Sequence, residues 1–256
     1  MVSHFFNFIG YDLRKFNLSH IEGFFGFDMF HDLETLFRNK SIKVIDVGAS
    51  DGEWLLNLKK YIKDIDTYIA FEPDPRMNIN LIEYGNNSKS IRDFLVFDYA
   101  VGAKNGQMNF KFMSSSSMNS FLNIGNQGWG SILNEKIFEV KTLDNVLNEI
   151  YGVNVDFDIL KIDVQGYDFE VIKGCASLLK NNSIKIIVCE VNFQNLYESK
   201  FDFGELLNSM ESNNYVLFGT YYPHVRNFSL AWFDAVFISK TYIDFLEVTM
   251  PKLVMK

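Results

Sequence analysis

The chain has 256 residues, of which 48% are hydrophobic and 22% charged, a composition typical of one packed globular domain. Its formal net charge of −8 argues against a nucleic-acid-binding protein, which would need a concentration of lysine and arginine. The two cysteines form no C-x-x-C pair and the first residues lack a basic signal-peptide region, so we expect free thiols, no zinc site and a cytoplasmic protein.

Residues 1–40 precede the first predicted strand, and we expect them to form an N-terminal helical segment that packs on the core. Phenylalanine pairs at 5–6 and 24–25 favour this packing. A peripheral contact of the same pairs with a membrane surface is the alternative interpretation. No apolar run approaches the length of a membrane-spanning helix.

From residue 41 onward, short apolar runs alternate with amphipathic stretches. Strands are predicted at 42–47, 67–71, 94–98, 157–163, 184–191, 215–218 and 233–238, and helices near 52–63, 75–84, 142–150, 168–180 and 202–213. Strands separated by helices indicate an α/β fold with a mostly parallel sheet covered on both faces. The last two strands are joined without a helix, which predicts one antiparallel strand. This domain is expected to span 41–240, with 241–256 as a C-terminal tail.

An insertion at 106–137 interrupts the alternation of strands and helices. It begins with the alternating stretch QMNFKFM and continues through the polar and glycine-rich stretches SSSSMNS and GNQGWG. We interpret the insertion as a lid or substrate loop. A surface excursion without a role in binding is the alternative.

The stretch VIDVGASDG lies where the first predicted strand turns into a helix. Gly48 lets the backbone approach a ligand closely, and Ala49, Ser50 and Gly52 complete the loop before the free N–H groups of the helix. The spacing G-x-x-x-G differs from the G-x-G-x-x-G that seats a pyrophosphate in nicotinamide-dependent dehydrogenases. Because Asp46 precedes the loop, a ligand with a cationic amino-acid moiety fits better than an anion.

Two more acids follow the next two predicted strands. Glu72, followed by Pro73, ends the second strand, where an acid can bind the two hydroxyls of a ribose. Asp98, followed by Tyr99, ends the third strand and could accept from an adenine amino group. Each acid alone could be a solvated loop residue. Together with Asp46 they predict a pocket for S-adenosylmethionine (SAM).

The stretch DILKIDVQGYDFEVIKG carries the candidate catalytic residues. Lys161 lies inside an apolar strand and needs an acidic partner there, Asp163 ends that strand, and Glu190 ends the next. We expect Asp163, tuned by Lys161 and Glu190, to take a proton from an acceptor hydroxyl, while an ion pair that only locks two strands is the alternative. His224, on the loop before the last strand, is the other candidate base.

A divalent cation between Asp163 and Glu190 is a variant of this mechanism, since magnesium prefers oxygen ligands. Two acids are few for such a site, so we assign no metal ligands.

These stretches resemble the FkbM family of SAM-dependent methyltransferases, from VIDVGASDGEW to FDAVFIS and including FEPDP, YAVGAKNG, LKIDVQGYDFEVIKG and CEVNFQNLY. The family usually has Glu where this chain has Asp168, and a small residue where it has Cys175. The resemblance implies a seven-stranded Rossmann-like class I methyltransferase fold with SAM at the glycine loop. It implies that the methionine part lies at Asp46, Gly48 and Gly52, the ribose at Glu72, the adenine near Asp98, and the transferred methyl nearest Asp163.

For function, the resemblance implies O-methylation of a sugar hydroxyl in a surface glycan or lipopolysaccharide-type acceptor. Methylation of a polyketide or another small-molecule hydroxyl is one alternative. A non-catalytic SAM-binding partner of a glycosyltransferase is another, and it predicts SAM binding without turnover.

Overall fold

The computed structural model describes residues 25–38, 40–87, 90–152, 155–198 and 201–250. The helices are α1 (Met29–Phe37), α2 (Glu53–Tyr61), α3 (Pro75–Asn87), α4 (Leu143–Tyr151), α5 (Asp168–Lys173), α6 (Ala176–Lys180), α7 (Phe203–Ser212) and α8 (Lys240–Thr249), with a 3₁₀ turn at Ser116–Met118. The strands are β1 (Ile42–Val47), β2 (Ile65–Phe71), β3 (Ile91–Phe97), β4 (Ala100–Val101), β5 (Gly106–Met113), β6 (Ile132–Lys141), β7 (Phe157–Ile162), β8 (Ile184–Asn192), β9 (Tyr215–Arg226) and β10 (Ser229–Ser239).

Seven strands form the main sheet in the order β3-β2-β1-β7-β8-β10-β9. Neighbouring strands are parallel from β3 to β8, whereas β10 runs antiparallel to both β8 and β9. The central strands β1, β7 and β8 are nearly continuous buried apolar runs, as expected for parallel strands covered on both faces. The predicted α/β fold with one antiparallel strand is confirmed.

Helices cover both faces of this sheet and define two apolar clusters. On one face, α1, α2, α3 and α8 contribute Leu33, Leu58, Leu81 and Leu246. On the other face, α4 to α7 contribute side chains that include Leu147, Val171, Leu179 and Leu206. Each helix therefore places its apolar stripe against the sheet.

The insertion forms ordered structure of its own. β5 pairs antiparallel with β6, and β4 pairs with the other side of β6, so a three-stranded sheet is built beside the main one. The polar stretch between β5 and β6 folds back onto residues 195–198, where Gly125 N–H donates to Leu196 O at 2.8 Å. A Cβ at Gly125 would lie 2.2 Å from Asn195 O, so this close approach requires glycine.

Three segments differ from the predicted elements. The predicted helix at 168–180 is two helices, because the chain turns at Gly174, where a Cβ would lie 2.2 Å from Gly102 O. β9 continues to Arg226, well beyond the predicted end at 218. Residues 240–249 of the expected C-terminal tail region form α8.

The terminal segments are described only in part. Of the expected N-terminal segment, α1 packs on the core through Leu33 and Phe37, and Phe25 contacts Phe218 edge-on; the pair at 5–6 and residue 24 lie outside the described residues. Cys175 and Cys189 are buried free thiols. Among the described residues, no helix has both the length and the apolar character needed to cross a membrane.

Candidate active site

A cavity of about 550 Å³ opens where β1, β2 and β7 end. Its walls come from the loops after these strands, from the 114–121 part of the insertion and from α1. Ligands bind at this edge in doubly wound sheets, and the volume suits a molecule of nucleoside size or larger. The cavity therefore lies where the sequence motifs predict it.

The loop after β1 forms one wall through Gly48, Ala49 and Ser50. Gly48 has φ +76°, and a Cβ there would lie 1.9 Å from the carbonyl oxygen of Asp163. The N–H groups of Gly48 and Ala49 both donate to Phe71 O, at 2.9 and 3.2 Å. Gly52 also has a left-handed backbone conformation. It caps the N-terminus of α2 and does not line the cavity. The loop is thus fixed against β2 and β7 at once.

Asp46 and Lys161 are paired in register across β1 and β7. The Lys161 Nζ lies 2.9 Å from Asp46 Oδ1 and donates to Gly48 O at 2.7 Å, while Tyr68 OH donates to Asp46 Oδ2. Burial alone would lower the pKa of Lys161, but the charges of Asp46 and Asp163 outweigh burial and raise it. Lys161 is therefore a buried cation whose direct partner is Asp46 rather than the expected Asp163 or Glu190.

Glu72 follows β2 and lies on the cavity wall beside Pro73. Its Oε2 accepts from Ser50 N–H at 2.9 Å and its Oε1 from Asp74 N–H at 2.8 Å. Burial raises the pKa of this carboxyl to about 7, although the two N–H donors oppose the rise. Its two oxygens are held in a fixed orientation at the mouth of β2.

Asp163 lines the cavity directly after β7. Its Oδ1 accepts from Gln165 Nε2 at 2.8 Å. Gln165 is itself held by Tyr197 OH, which donates to Gln165 Oε1, and by Ser120 Oγ, which donates to Gln165 O, both at 2.8 Å. The insertion and the segment after β8 therefore support the orientation of Asp163.

The remaining candidates lie outside the residues that line the cavity. Glu190 accepts from Asn192 Nδ2 at 2.9 Å, and burial together with Asp163 and Asp168 raises its pKa well above the usual range. His224 is exposed and stacks on Trp232 with ring centroids 3.9 Å apart.

The two residues after β3 also lie outside that lining. Asp98 is exposed, and Tyr99 packs against Phe71 and Phe97. The next two residues, Ala100 and Val101, do line the cavity.

Sequence reasoning missed the cavity acids Asp51, Glu53, Asp74 and Asp234; Tyr222, from the aromatic stretch 221–222, also lines the cavity. Asp74 forms an ion pair with Arg76 at 2.6 Å, and Tyr222 OH accepts from Met29 N–H at 3.2 Å. Asp234 is an acid inside the apolar run WFDAVF of β10. An ionisable residue within an apolar strand is the feature that identified Lys161 in β7, and the same feature could have identified Asp234.

Metal-binding geometry is not found in the described part of the chain. No group of three or more His, Cys, Asp or Glu side chains there is arranged to hold an ion.

A family profile described as "Methyltransferase FkbM domain" matches residues 46–217, which include the glycine loop, Glu72, Asp163 and Glu190. The chain belongs to the FkbM methyltransferase family. The resemblance seen in the motifs is confirmed. Most residues that line the cavity lie within the matched range, whereas Met29, Phe30, Tyr222 and Asp234 lie outside it.

The structure is also similar to solved methyltransferases. The methyltransferase FkbM from Methylobacillus flagellatus KT matches with a TM-score of 0.51 and 17% identity, over 77% of this chain and 43% of that one. Magnesium protoporphyrin IX methyltransferase from Synechocystis PCC 6803, solved with bound SAM, matches with a TM-score of 0.44 and 8% identity, over 93% and 95%. This FkbM-family chain thus spans less than half the length of the Methylobacillus protein. The match to that protein shows a shared fold. No curated protein matches.

Proposed function

We propose that this FkbM-family chain is a SAM-dependent O-methyltransferase that acts on a sugar hydroxyl in a surface glycan or lipopolysaccharide-type acceptor. Family membership supports methyl transfer.

The observation that carries the proposal is the charge of the cavity wall. Asp51, Glu53, Glu72, Asp74, Asp163 and Asp234 line the cavity, and of these Asp74 is paired with Arg76. The one lysine in the lining, Lys161, is paired with Asp46. This excess of acids suits a cationic ligand. SAM carries a positive sulfonium and an ammonium group, and it supplies a methyl group for transfer when bound.

The rest of the wall also fits SAM. Gly48 lets the loop of residues 48–50 lie directly against the backbone of Asp163 at the cavity wall, and the oriented Glu72 carboxyl has the chemistry to accept from both ribose hydroxyls. We place the methionine part at the loop of residues 48–50 and the ribose at Glu72. Asp98 lies outside the lining, so we place the adenine instead near Ala100 and Val101.

Other residues that line the cavity offer groups suited to a sugar. Ser116, Ser117 and Asn119 of the insertion offer hydroxyl and amide groups, and Tyr222 offers a ring that is 44% exposed. Sugars are bound by hydrogen bonds to their hydroxyls together with stacking on aromatic rings. The insertion thus has the composition expected of an acceptor-binding loop.

Methyl transfer to a hydroxyl needs alignment and removal of a proton. The two walls would hold the acceptor oxygen in line with the methyl group, and such alignment supplies much of the acceleration. A sugar hydroxyl is a weak nucleophile, so a carboxylate of the wall must accept its proton as the bond forms.

The test is incubation of the protein with methyl-labelled SAM and a panel of cell-envelope glycans, simple methyl glycosides and polyketide alcohols, followed by mass spectrometry. We expect labelled O-methyl sugars and release of S-adenosylhomocysteine. Glu72→Ala should weaken SAM binding at least tenfold, and the exposed Glu83→Ala serves as its control. Labelling of polyketide alcohols alone would contradict the assignment of the acceptor. SAM binding without any transfer would instead indicate a non-catalytic partner.

A further inference from the structure

Asp234 belongs to a row of carboxylates that crosses three neighbouring strands. It is paired in register with Glu190 across β10 and β8. Ile162 is paired with Cys189 across β7 and β8, so Glu190 is next in line with Asp163. Like charges placed opposite each other on adjacent strands destabilise a sheet. A row of this kind therefore calls for an explanation other than stability.

Asp234 differs from the other two acids in its hydrogen bonding. Asp163 accepts from Gln165 and Glu190 accepts from Asn192, at 2.8 and 2.9 Å. Asp234 lines the cavity, and within the described parts of the chain no residue donates a hydrogen bond to its carboxylate or forms an ion pair with it. Both carboxylate oxygens of Asp234 are thus free to accept from a bound molecule, whereas Asp163 and Glu190 each have one oxygen that already accepts from a side-chain amide.

His224 is less suited to the same task. It is paired with Trp232 across β9 and β10, and the two rings are stacked 13° from parallel outside the lining of the cavity. Asp234 is two residues further along β10 and does line it. The structure thus gives Asp234, but not His224, access to the cavity.

The surroundings make Asp234 a stronger base than an ordinary carboxylate. Burial and the charge of Asp163 raise its pKa to about 7, while Lys161 acts in the opposite direction. The ionisable groups whose charges interact with it are Lys161 on β7, Asp163 directly after β7, Cys189 and Glu190 on β8, and Tyr222 on β9. A base whose pKa lies near the working pH is both available and effective.

We propose that Asp234 is the general base that takes the proton from the acceptor hydroxyl, an assignment that rests on the proposed function. In this step the acceptor oxygen forms a bond to the methyl carbon as the bond from that carbon to the sulfonium sulfur breaks. The hydroxyl proton passes to the Asp234 carboxylate. The products are a neutral methyl ether, a neutral thioether and a protonated Asp234, so charge and atoms balance. Asp163 is then a positioning residue, whose negative charge keeps the neighbouring Asp234 carboxylate basic.

The experiment compares Asp234→Asn, Asp163→Asn and Asp234→Glu, with the exposed Asp244→Asn as a charge control. Activity is measured from pH 5.5 to 9 on the methyl glycoside that the wild-type chain methylates fastest, and SAM binding by calorimetry. Asp234→Asn should lower kcat at least a hundredfold with SAM affinity within threefold, and it should abolish the acid limb of the pH profile, which Asp234→Glu restores. Asp163→Asn should shift that limb to lower pH and keep activity at pH 8 within about tenfold.

Full activity of Asp234→Asn with an inactive Asp163→Asn would overturn the assignment and leave the proposed function intact. Failure of the wild-type chain to methylate any hydroxyl in the panel would overturn the proposed function, and the assignment with it. Melting temperatures of the variants that are no lower than that of the wild type ensure that a loss of activity is not a loss of folding.

Discussion

Gly48 determines how closely the loops after β1 and β7 approach each other. Its φ of +76° and the 1.9 Å that would separate a Cβ from Asp163 O leave no room for any side chain. The loop that we assign to the donor thus touches the backbone of the residue that ends β7. Position 48 therefore requires glycine both for its backbone conformation and for its close contact with Asp163.

We expect Gly48→Ala to destabilise the protein and to weaken SAM binding at least a hundredfold, about 3 kcal/mol, because the backbone of one loop must move. Calorimetric titration with SAM and thermal unfolding measure the two effects. Gly106→Ala is the matched control, since a Cβ there meets no atom within 4 Å. Similar behaviour of both variants would contradict this account.

Asp46 and Lys161 form a buried ion pair whose contribution to stability can be tested by single substitutions. Both are buried, and removing one partner leaves the other charge without compensation. Lys161→Met and Asp46→Asn should each lower the free energy of unfolding by about 3–5 kcal/mol. The double variant should lose far less than the sum of the two. Urea unfolding of all four proteins measures the coupling, and additive losses would show that the pair is not coupled.

At the scale of elements, the insertion and the exit of β7 act as one unit. Tyr197, which is 2% exposed, donates to Gln165, and a Cβ at Gly166 would lie 2.6 Å from the Tyr197 ring. Since Gln165 in turn donates to Asp163, the orientation of a cavity acid depends on contacts made far along the chain.

Tyr197→Phe removes only the hydroxyl that holds Gln165. We expect methyl transfer to fall about tenfold, the kinetic equivalent of one net hydrogen bond, with SAM affinity within twofold. Steady-state kinetics and calorimetry measure both quantities. Tyr151→Phe, at a tyrosine 40% exposed on α4, should change neither. A larger loss in SAM affinity than in turnover would show that the tyrosine supports the donor side instead.

The elements also show what the sequence could and could not predict. β1, β7 and β8 were predicted to within two residues because a buried parallel strand is a continuous apolar run. β9 was predicted too short, since it is an edge strand whose second half is polar and contains Pro223, which only an edge strand accommodates easily.

For the site, the strand-end motifs predicted Glu72 and Asp163 on the cavity wall because strand ends are visible in sequence. They could not predict that Asp46 takes Lys161 as its partner, nor that Asp234 reaches the cavity. Both depend on which strands are neighbours and in which register, and the strand order brings β10 to β8 only in the folded sheet.

At the scale of the whole molecule, the buried acids make stability depend on pH. Burial raises the pKa of Glu72 from 4.5 and that of Asp234 from 3.8, each to about 7. Between pH 5 and 7 the folded chain therefore binds more protons than the unfolded chain, so stability falls as the pH rises through this window.

We expect the free energy of unfolding to fall from pH 5 to pH 8 by about 2 kcal/mol from Glu72 alone, since one pKa unit corresponds to about 1.4 kcal/mol. Urea unfolding at a series of pH values measures this slope. Glu72→Gln and Asp234→Asn should each flatten it and raise stability at pH 8. A slope that is unchanged in both variants would show that other groups cause it.

The cavity residues that we assign to the donor come from separate parts of the chain, whereas those that we assign to the acceptor come largely from one stretch. The donor wall is assembled from three separate strand ends that touch through Gly48 and Asp163, whereas Ser116, Ser117 and Asn119 come from one continuous stretch between β5 and β6. That stretch docks on residues 195–198 through Gly125 and Gly128, whose missing side chains admit the backbone opposite. A relative could therefore exchange this single stretch, keep the two docking glycines, and acquire a different acceptor while its methyl-donor half stays untouched.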